Sequence, residues 1–318
     1  MRRCLAVAIL FLLAFSLRAQ EYPSRPITAI VPFSTGSASD VIARIVLERM
    51  SGPLGQKFVV DNRPAAGGVG GTLAATKAAP DGYTIVMGAA GPMVVNKILM
   101  PQLGYDPEKD FEPISLYAVM PNIVTISAKL PAKTLAEFID YAKKNPKVPY
   151  GSVGNGSSQH LAGELFSQLV GAQMQHVPYR VTTQLQADFL AGTVPAGFQL
   201  LPNVIGGLKS GQLRALAVTS RQRLPALPEV PTAAEAGVAN FESAAWFGFF
   251  APKGTPRGAV ERLNREVVAA VADPAVRARF TDFGAIPSST TPDELARYVT
   301  SEVVRWRAII TKGNITLE

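Results

Sequence analysis

Ile27-Thr28-Ala29-Ile30-Val31-Pro32-Phe33-Ser34-Thr35-Gly36-Ser37-Ala38-Ser39-Asp40 begins as a strand, turns through a Ser/Gly loop and ends at a helix start. The β-branched residues of Ile27–Val31 are stiff at χ1 and favour an extended chain. Gly36 permits backbone angles closed to other residues. The hydroxyls of Ser37 and Ser39 stand where a helix N-cap is needed, ahead of a helix expected over Asp40–Met50. The same order recurs 120 residues on: a strand at Lys147–Tyr150, a loop over Gly151–Ser158, and a helix to about Val170. Strand, short polar loop, helix is the repeating unit of an α/β protein.

The rest of the chain keeps that alternation. Lys57–Val60 and Tyr83–Met87 read as strands on either side of Gly67–Lys77, which starts glycine-rich and becomes helical. Ile123–Ile126, Leu213–Val218 and the aromatic Ala244–Phe250 read as further strands. Thr134–Lys144 reads as a helix whose Thr134 and Glu137 have capping-box spacing. Pro256–Val271 and Pro292–Ile310 are amphipathic helices, and Leu224–Pro231 is a proline-punctuated surface excursion. There is no repeat at a 20–50-residue period. With 318 residues, 47% apolar and 17% charged, the chain is too long for one core and too apolar for disorder. The expectation is α/β with two lobes, each a mostly parallel sheet flanked by helices.

Arg2 and Arg3 precede an apolar run over Cys4–Leu17, broken only by Ser16. That run is shorter than the roughly 20 residues a bilayer span requires. Residues 1–19 therefore read as a cleaved export signal ending near Ala19. Its removal takes three arginines and no acids, leaving 28 basic against 24 acidic residues, so the formal charge falls from +7 to +4. The basic residues are dispersed, which argues against nucleic acid as a partner. The single cysteine, Cys4, leaves with the signal, which excludes disulfides and thiol chemistry from the mature chain.

The two Ser/Gly loops carry the functional expectation. A helix N-terminus presents unpaired N–H groups and a partial positive charge, both suited to an anion. The first loop alone needs no more explanation than helix capping, whereas the second, with three glycines and three serines in eight residues, exceeds what a cap requires. Two of them, one in each half, can face each other across a cleft. Neither is a nucleotide fingerprint, because Gln159 stands where G-x-G-x-x-G needs its last glycine, and no P-loop is present. Gly156-Ser157-Ser158-Gln159-His160 misses the G-x-S-x-G elbow at its last position. His160 and His176, the only histidines, lack cysteine neighbours, so no metal, cofactor or catalytic residue is expected. Trp246 and Phe247 read as core, with either as a possible cleft wall. Tyr179-Arg180 reads as a pair at the cleft edge.

Longer motifs run the length of the chain: Tyr22-Pro23-Ser24-Arg25-Pro26-Ile27, Val31-Pro32-Phe33, Asn62-Arg63-Pro64, Asp81-Gly82-Tyr83-Thr84, Tyr105-Asp106-Pro107 and Tyr150-Gly151-Ser152. Gly154-Asn155-Gly156-Ser157, His160-Leu161-Ala162-Gly163-Glu164-Leu165-Phe166, His176-Val177-Pro178-Tyr179, Leu213–Ser220, Leu227–Thr232 and Trp246-Phe247-Gly248 continue the series. In these the chain resembles the substrate-binding receptors of tripartite tricarboxylate transporters, the Bug proteins. The resemblance implies a periplasmic binding fold of the Venus-flytrap type (type II) and no enzymatic activity. Lobe one would span 20–120 and 246–318, and lobe two 121–245. It implies a monomer that holds a small mono-, di- or aromatic carboxylate in the Gram-negative periplasm and passes it to membrane permease subunits. A periplasmic sensor feeding a membrane signalling system is the alternative. The ligand-binding residues so implied are Phe33, Ser34, Thr35, Gly36, Ser37 and Asp40 in the first loop, Gly154, Asn155, Gly156, Ser157 and Ser158 in the second, and Gln199.

Three departures from the family pattern concern the ligand. Where the family has two adjacent glycines this chain has Gly36-Ser37, which should narrow the pocket or add a donor. Lys-Gly after Tyr179 is replaced by Arg180-Val181, and a Phe-Asp pair becomes Phe198-Gln199. Loss of that aspartate disfavours an amino-acid ligand.

Overall fold

The protein is described here by a computed structural model covering residues 22–313, 315 and 316; the expected signal at 1–19 lies outside the described residues. The chain first forms β1 (Ile27–Val31), α1 (Ala38–Leu54), β2 (Phe58–Asn62), α2 (Val69–Thr76) and β3 (Thr84–Gly88). A π-helical turn at Gly91–Val95, the short α3 (Asn96–Leu99) and β4 (Phe111–Pro121) follow. It then builds β5 (Ile123–Ser127), α4 (Leu135–Lys144), β6 (Val148–Ser152), α5 (Ser158–Val170), β7 (Met174–Pro178), α6 (Thr182–Ala191), β8 (Ala196–Gln199), α7 (Leu201–Lys209) and β9 (Leu213–Val218). The return passes through β10 (Ala244–Pro252), α8 (Arg257–Ala272), α9 (Pro274–Asp282), β11 (Ile286–Pro287) and α10 (Pro292–Gly313).

These strands form two sheets, ordered β11-β4-β10-β3-β1-β2 and β7-β6-β8-β5-β9. Both are mixed. β1, β2, β3 and β4 point one way, while β10, antiparallel to both its neighbours, is inserted between β3 and β4. In the second sheet β5 is the antiparallel insert, between β8 and β9. Each insert is thus a strand at a crossing between the lobes. The two crossings are tied together at Asn122 and Ser243: Asn122 Nδ2 donates to the Phe198 carbonyl at 2.8 Å, and Ser243 Oγ donates to Asn122 Oδ1 at 3.1 Å.

Central strands are apolar on both faces. In β10, Phe247 and Phe249 enter one core beneath α1, α8 and α9, while Trp246 and Phe250 enter another with α10. Burying each such ring stabilises the fold by roughly 1.5–3 kcal/mol. Trp246 is wholly committed there: its Nε1 and that of Trp306 both donate to the buried Glu302 carboxylate. The second sheet packs Phe138, Phe166 and Phe198 in a separate core. The sequence pattern does not announce β4, the longest strand, because Pro113 interrupts it. Pro113 is accommodated at a register irregularity opposite Phe250, where a missing N–H costs least.

Candidate functional site

The two loops are near copies. Gly36 and Gly156 both have φ +76°, in the left-handed region that glycine accepts without strain. Ser37 and Ser157 then cap α1 and α5 with extended backbones (φ −67°, ψ 161° and φ −64°, ψ 157°). Ser37 Oγ accepts from the Asp40 amide at 3.4 Å, and Ser157 Oγ from the His160 amide at 3.3 Å. Helix α1 starts two residues earlier than expected because Ser37, not Ser39, is the cap. Each glycine amide is held by the side chain four residues on: Gly36 donates to Asp40 Oδ2 at 2.9 Å, and Gly156 to His160 Nδ1 at 3.1 Å. One loop is therefore braced by a carboxylate, the other by an imidazole.

The helix starts face one shared, narrow cavity of about 20 Å³. Four of the expected residues, Phe33, Ser37, Ser157 and Ser158, line it. Ser34 lines an adjoining crevice with Arg180. Thr35 and Gly36 are exposed at the loop tip. Asp40 is buried behind its loop, where it accepts from Arg44 Nε and Asn62 Nδ2, both at 2.9 Å. Gly154 accepts from the Ser157 amide at 3.2 Å and shapes the turn. Gln199 lies beneath the second loop, its Nε2 donating to the Gly151 carbonyl at 2.8 Å, and it does not line the cavity.

Asn155 and Gly156 instead meet the other lobe. A Cβ at Gly67 would collide with the Asn155 carbonyl oxygen, and one at Gly91 would lie 3.2 Å from the Gly156 carbonyl oxygen. Glycine at these positions lets the second loop seat against lobe-one backbone. A further interlobe contact is buried in the cavity wall. Asn203, near the start of α7, accepts from the Ala38 amide at 3.1 Å through Oδ1. The pattern of the sequence offers no signal for Asn203, which lies 165 residues from its partner. Of the two aromatic candidates, Phe247 is a wall residue and Trp246 is not. Leu200, Val153 and Ala245 complete the apolar wall, and among the described residues no ionisable side chain lines the cavity.

Behind the second loop His160 and His176 stack with ring centroids 4.0 Å apart. Burial pushes His160 down to about 4; burial, with His160 as a second cause, pushes His176 down to about 3. Both are therefore neutral at ordinary pH. His176 Nε2 and Ser152 Oγ share a 2.6 Å hydrogen bond. Ser158 Oγ donates to Gln159 Oε1 at 3.4 Å.

The arrangement matches known proteins closely. The family model described as "Tripartite tricarboxylate transporter family receptor" matches residues 42–315. BugT of Bordetella pertussis is 36% identical over 100% of this chain and 99% of its own. A Rhodopseudomonas palustris protein solved with adipate superposes with a TM-score of 0.90 at 35% identity, covering 93% of this chain and 99% of that one. MatC from the same organism, solved with bound malate, gives 0.85 at 33% identity over 91% and 100%. The chain belongs to the tripartite tricarboxylate transporter receptor family, and its fold is that of the two-lobed periplasmic binding proteins.

Proposed function

We propose that this protein is a periplasmic receptor that captures a small carboxylate between its lobes and delivers it to the membrane permease subunits of a tripartite tricarboxylate transporter. One observation carries the reading: two serine-capped helix N-termini, from different sheets, open on one cavity that no charged side chain lines. Hydrogen bonds to a charged acceptor contribute about 1.5–3 kcal/mol each. Three or four of them reach the roughly 8 kcal/mol of a micromolar site without a salt bridge. Neutral donors also suit a receptor that must release its cargo. The adipate and malate held by the two relatives support the same chemistry here.

We take residues 20–120 with 246–318 as one lobe and 121–245 as the other, a division supported by the grouping of β1–β4, β10 and β11 in one sheet and β5–β9 in the other, with the hinge where β4 meets β5 and where the chain re-enters β10. A ligand that bonds both bodies favours the closed arrangement by its differential affinity for it. Within the site, Ser37, Ser157 and Ser158 lie at the cavity, while Asp40, Gly154, Asn155, Gly156 and Gln199 hold the loops in shape. The test is a thermal-shift panel of carboxylates against uncharged analogues. A ligand at 100 times its dissociation constant stabilises by about 2.7 kcal/mol. A midpoint moved only by uncharged compounds overturns the reading.

A further inference from the structure

Hydrogen-bond donors from three helix starts meet at the cavity. The first-turn amides of Ser39 on α1 and of Ser158 and Gln159 on α5 have no acceptor among the described residues, and all three residues line the cavity. The third helix is α7, whose first turn has no side-chain cap. Its contribution is a side chain, that of Asn203, which is 6% exposed and stands in the cavity wall. The backbone beneath that side chain is held on both sides. The Asn203 amide donates to the Leu200 carbonyl at 3.0 Å, and the Asn203 carbonyl accepts from Gln186 Nε2 at 2.9 Å.

Only an acceptor can face the Ala38 N–H, so the 3.1 Å contact between the lobes belongs to Asn203 Oδ1. A carboxamide is a planar fork, and placing its oxygen also places its nitrogen. Nδ2 carries two N–H donors and has no partner among the described residues. It keeps accessible surface, unlike the sealed and unpartnered Oε1 of Gln199, and the cavity is what its residue lines. A buried donor left unpaired forfeits its solvation, so an acceptor in the cavity is favoured there. A carboxylate, which only accepts and has about four lone-pair sites, complements a wall of such donors. The Asp40 charge in the first turn of α1 weighs against an anion at that helix end, and a neutral donor reaching over from the other lobe offsets part of this.

Resting on the carboxylate-receptor reading above, we infer that Asn203 is a ligand-binding residue that couples capture to closure: Oδ1 holds the Ala38 amide of one lobe while Nδ2 donates to the carboxylate beside it. With the lobes apart, the Ala38 bond is broken and the carboxamide is free to turn. Closing sets the oxygen on Ala38 and so aims the nitrogen at the ligand. Lobe contact and ligand contact are the two arms of one rigid group, and each favours the other.

The test is isothermal titration of the purified protein with adipate, malate, hexanoate and benzoate. For the carboxylates that bind, Asn203→Ala, which removes both arms, should weaken affinity about tenfold. Asn203→Asp keeps an acceptor for Ala38 but turns an anionic oxygen toward the ligand, and should weaken affinity about 100-fold or more. An acid in the first turn of α7 suits the helix, so this variant is expected to fold. The order of the two variants decides. If Asn203 only clasps the lobes, the Asp variant, which keeps the clasp, binds better than the Ala variant; that order, or wild-type affinity in either, overturns the assignment and leaves the receptor reading standing. Nuclear magnetic resonance on the wild type, with nitrogen-labelled asparagine, gives a second readout. The Asn203 side-chain N–H signals should shift and gain protection from solvent exchange when the ligand saturates the site, and unmoved signals also overturn the assignment. A wild type that binds none of these carboxylates brings down the receptor reading itself, and the assignment with it.

Discussion

The starts of α1 and α5 differ little in backbone and much in electrostatics. Both have a left-handed glycine, a serine cap and a side chain bonded back to the glycine amide. Asp40 supplies that side chain in one and His160 in the other. Two sites that share dihedral angles within a few degrees therefore present different potentials to the same cavity. Backbone geometry decides where donors point; the residue behind the loop decides the potential around them.

The largest expected effect tests that inequality directly. Ser158→Asp places a carboxylate at the α5 end, where like charges about 4 Å apart at an effective dielectric near 20 repel by about 4 kcal/mol. Carboxylate affinity should fall by roughly 100-fold or more, by isothermal titration, while the helix start itself tolerates the acid. Ser39→Asp, at the α1 end, should cost markedly less; equal losses would show that the two ends share the anion equally.

Gly67→Ala comes next. Besides its left-handed backbone (φ +66°), its new Cβ meets the Asn155 carbonyl oxygen, so the lobes can close only with strain. A tenfold or greater loss of affinity, about 1.4 kcal/mol, should accompany a larger radius of gyration by small-angle scattering. Gly36→Ala, also left-handed but with open space around it, should leave the scattering curve unchanged.

The third prediction separates the loops by pH. His160 and His176 titrate near 4 and near 3 in the folded protein, against an ordinary 6.5. Below 6.5 the unfolded chain binds protons that the native state refuses, so stability falls with pH. The contribution is complete above 6.5 and is lost progressively down to about 4 for His160 and about 3 for His176. The slope approaches about 1.4 kcal/mol per pH unit for each ring. Protonation of native His160 at Nδ1 also removes the acceptor for the Gly156 amide, so ligand affinity should hold until the pH falls to about 4 and decline only below it. Melting curves from pH 7 to 4 measure the first effect, and a His160→Asn, His176→Asn double variant with a flat profile would confirm its source.

The smallest effect is at Ser37. Glycine is nearly as good an N-cap as serine, so Ser37→Gly should lower stability by only a few tenths of a kcal/mol. Its ligand ranking should nonetheless change, because the lost hydroxyl lines the cavity. Identical rankings across a carboxylate panel would place Ser37 in a purely structural role.

Much of this molecule is legible in one dimension. Strand, glycine, serine cap and helix follow from side-chain stiffness, positive φ and unpaired amides, all of which act within a few residues; hence both loops were recognisable, as was the cap at Thr134, which accepts from the Glu137 amide. Glu137 itself departs from the expected box, reaching the Lys133 amide instead of that of Thr134. Element ends were less legible, since the choice between Ser37 and Ser39 as cap depends on where the loop leaves the sheet. β4 was hidden by a proline whose tolerance is set by β10, a strand more than 120 residues away.

Local chemistry by itself determined that this chain alternates strands and helices and carries two serine-capped helix starts. Only the tertiary structure decided that those starts share one cavity, that Trp246 belongs to a core and Phe247 to the wall, and that Asn203 reaches Ala38. The reason is distance along the chain. Capping and turn formation are fixed by neighbours a few bonds apart, whereas a hydrogen bond between residues 165 positions apart exists only once two independently packed sheets have set the gap between them.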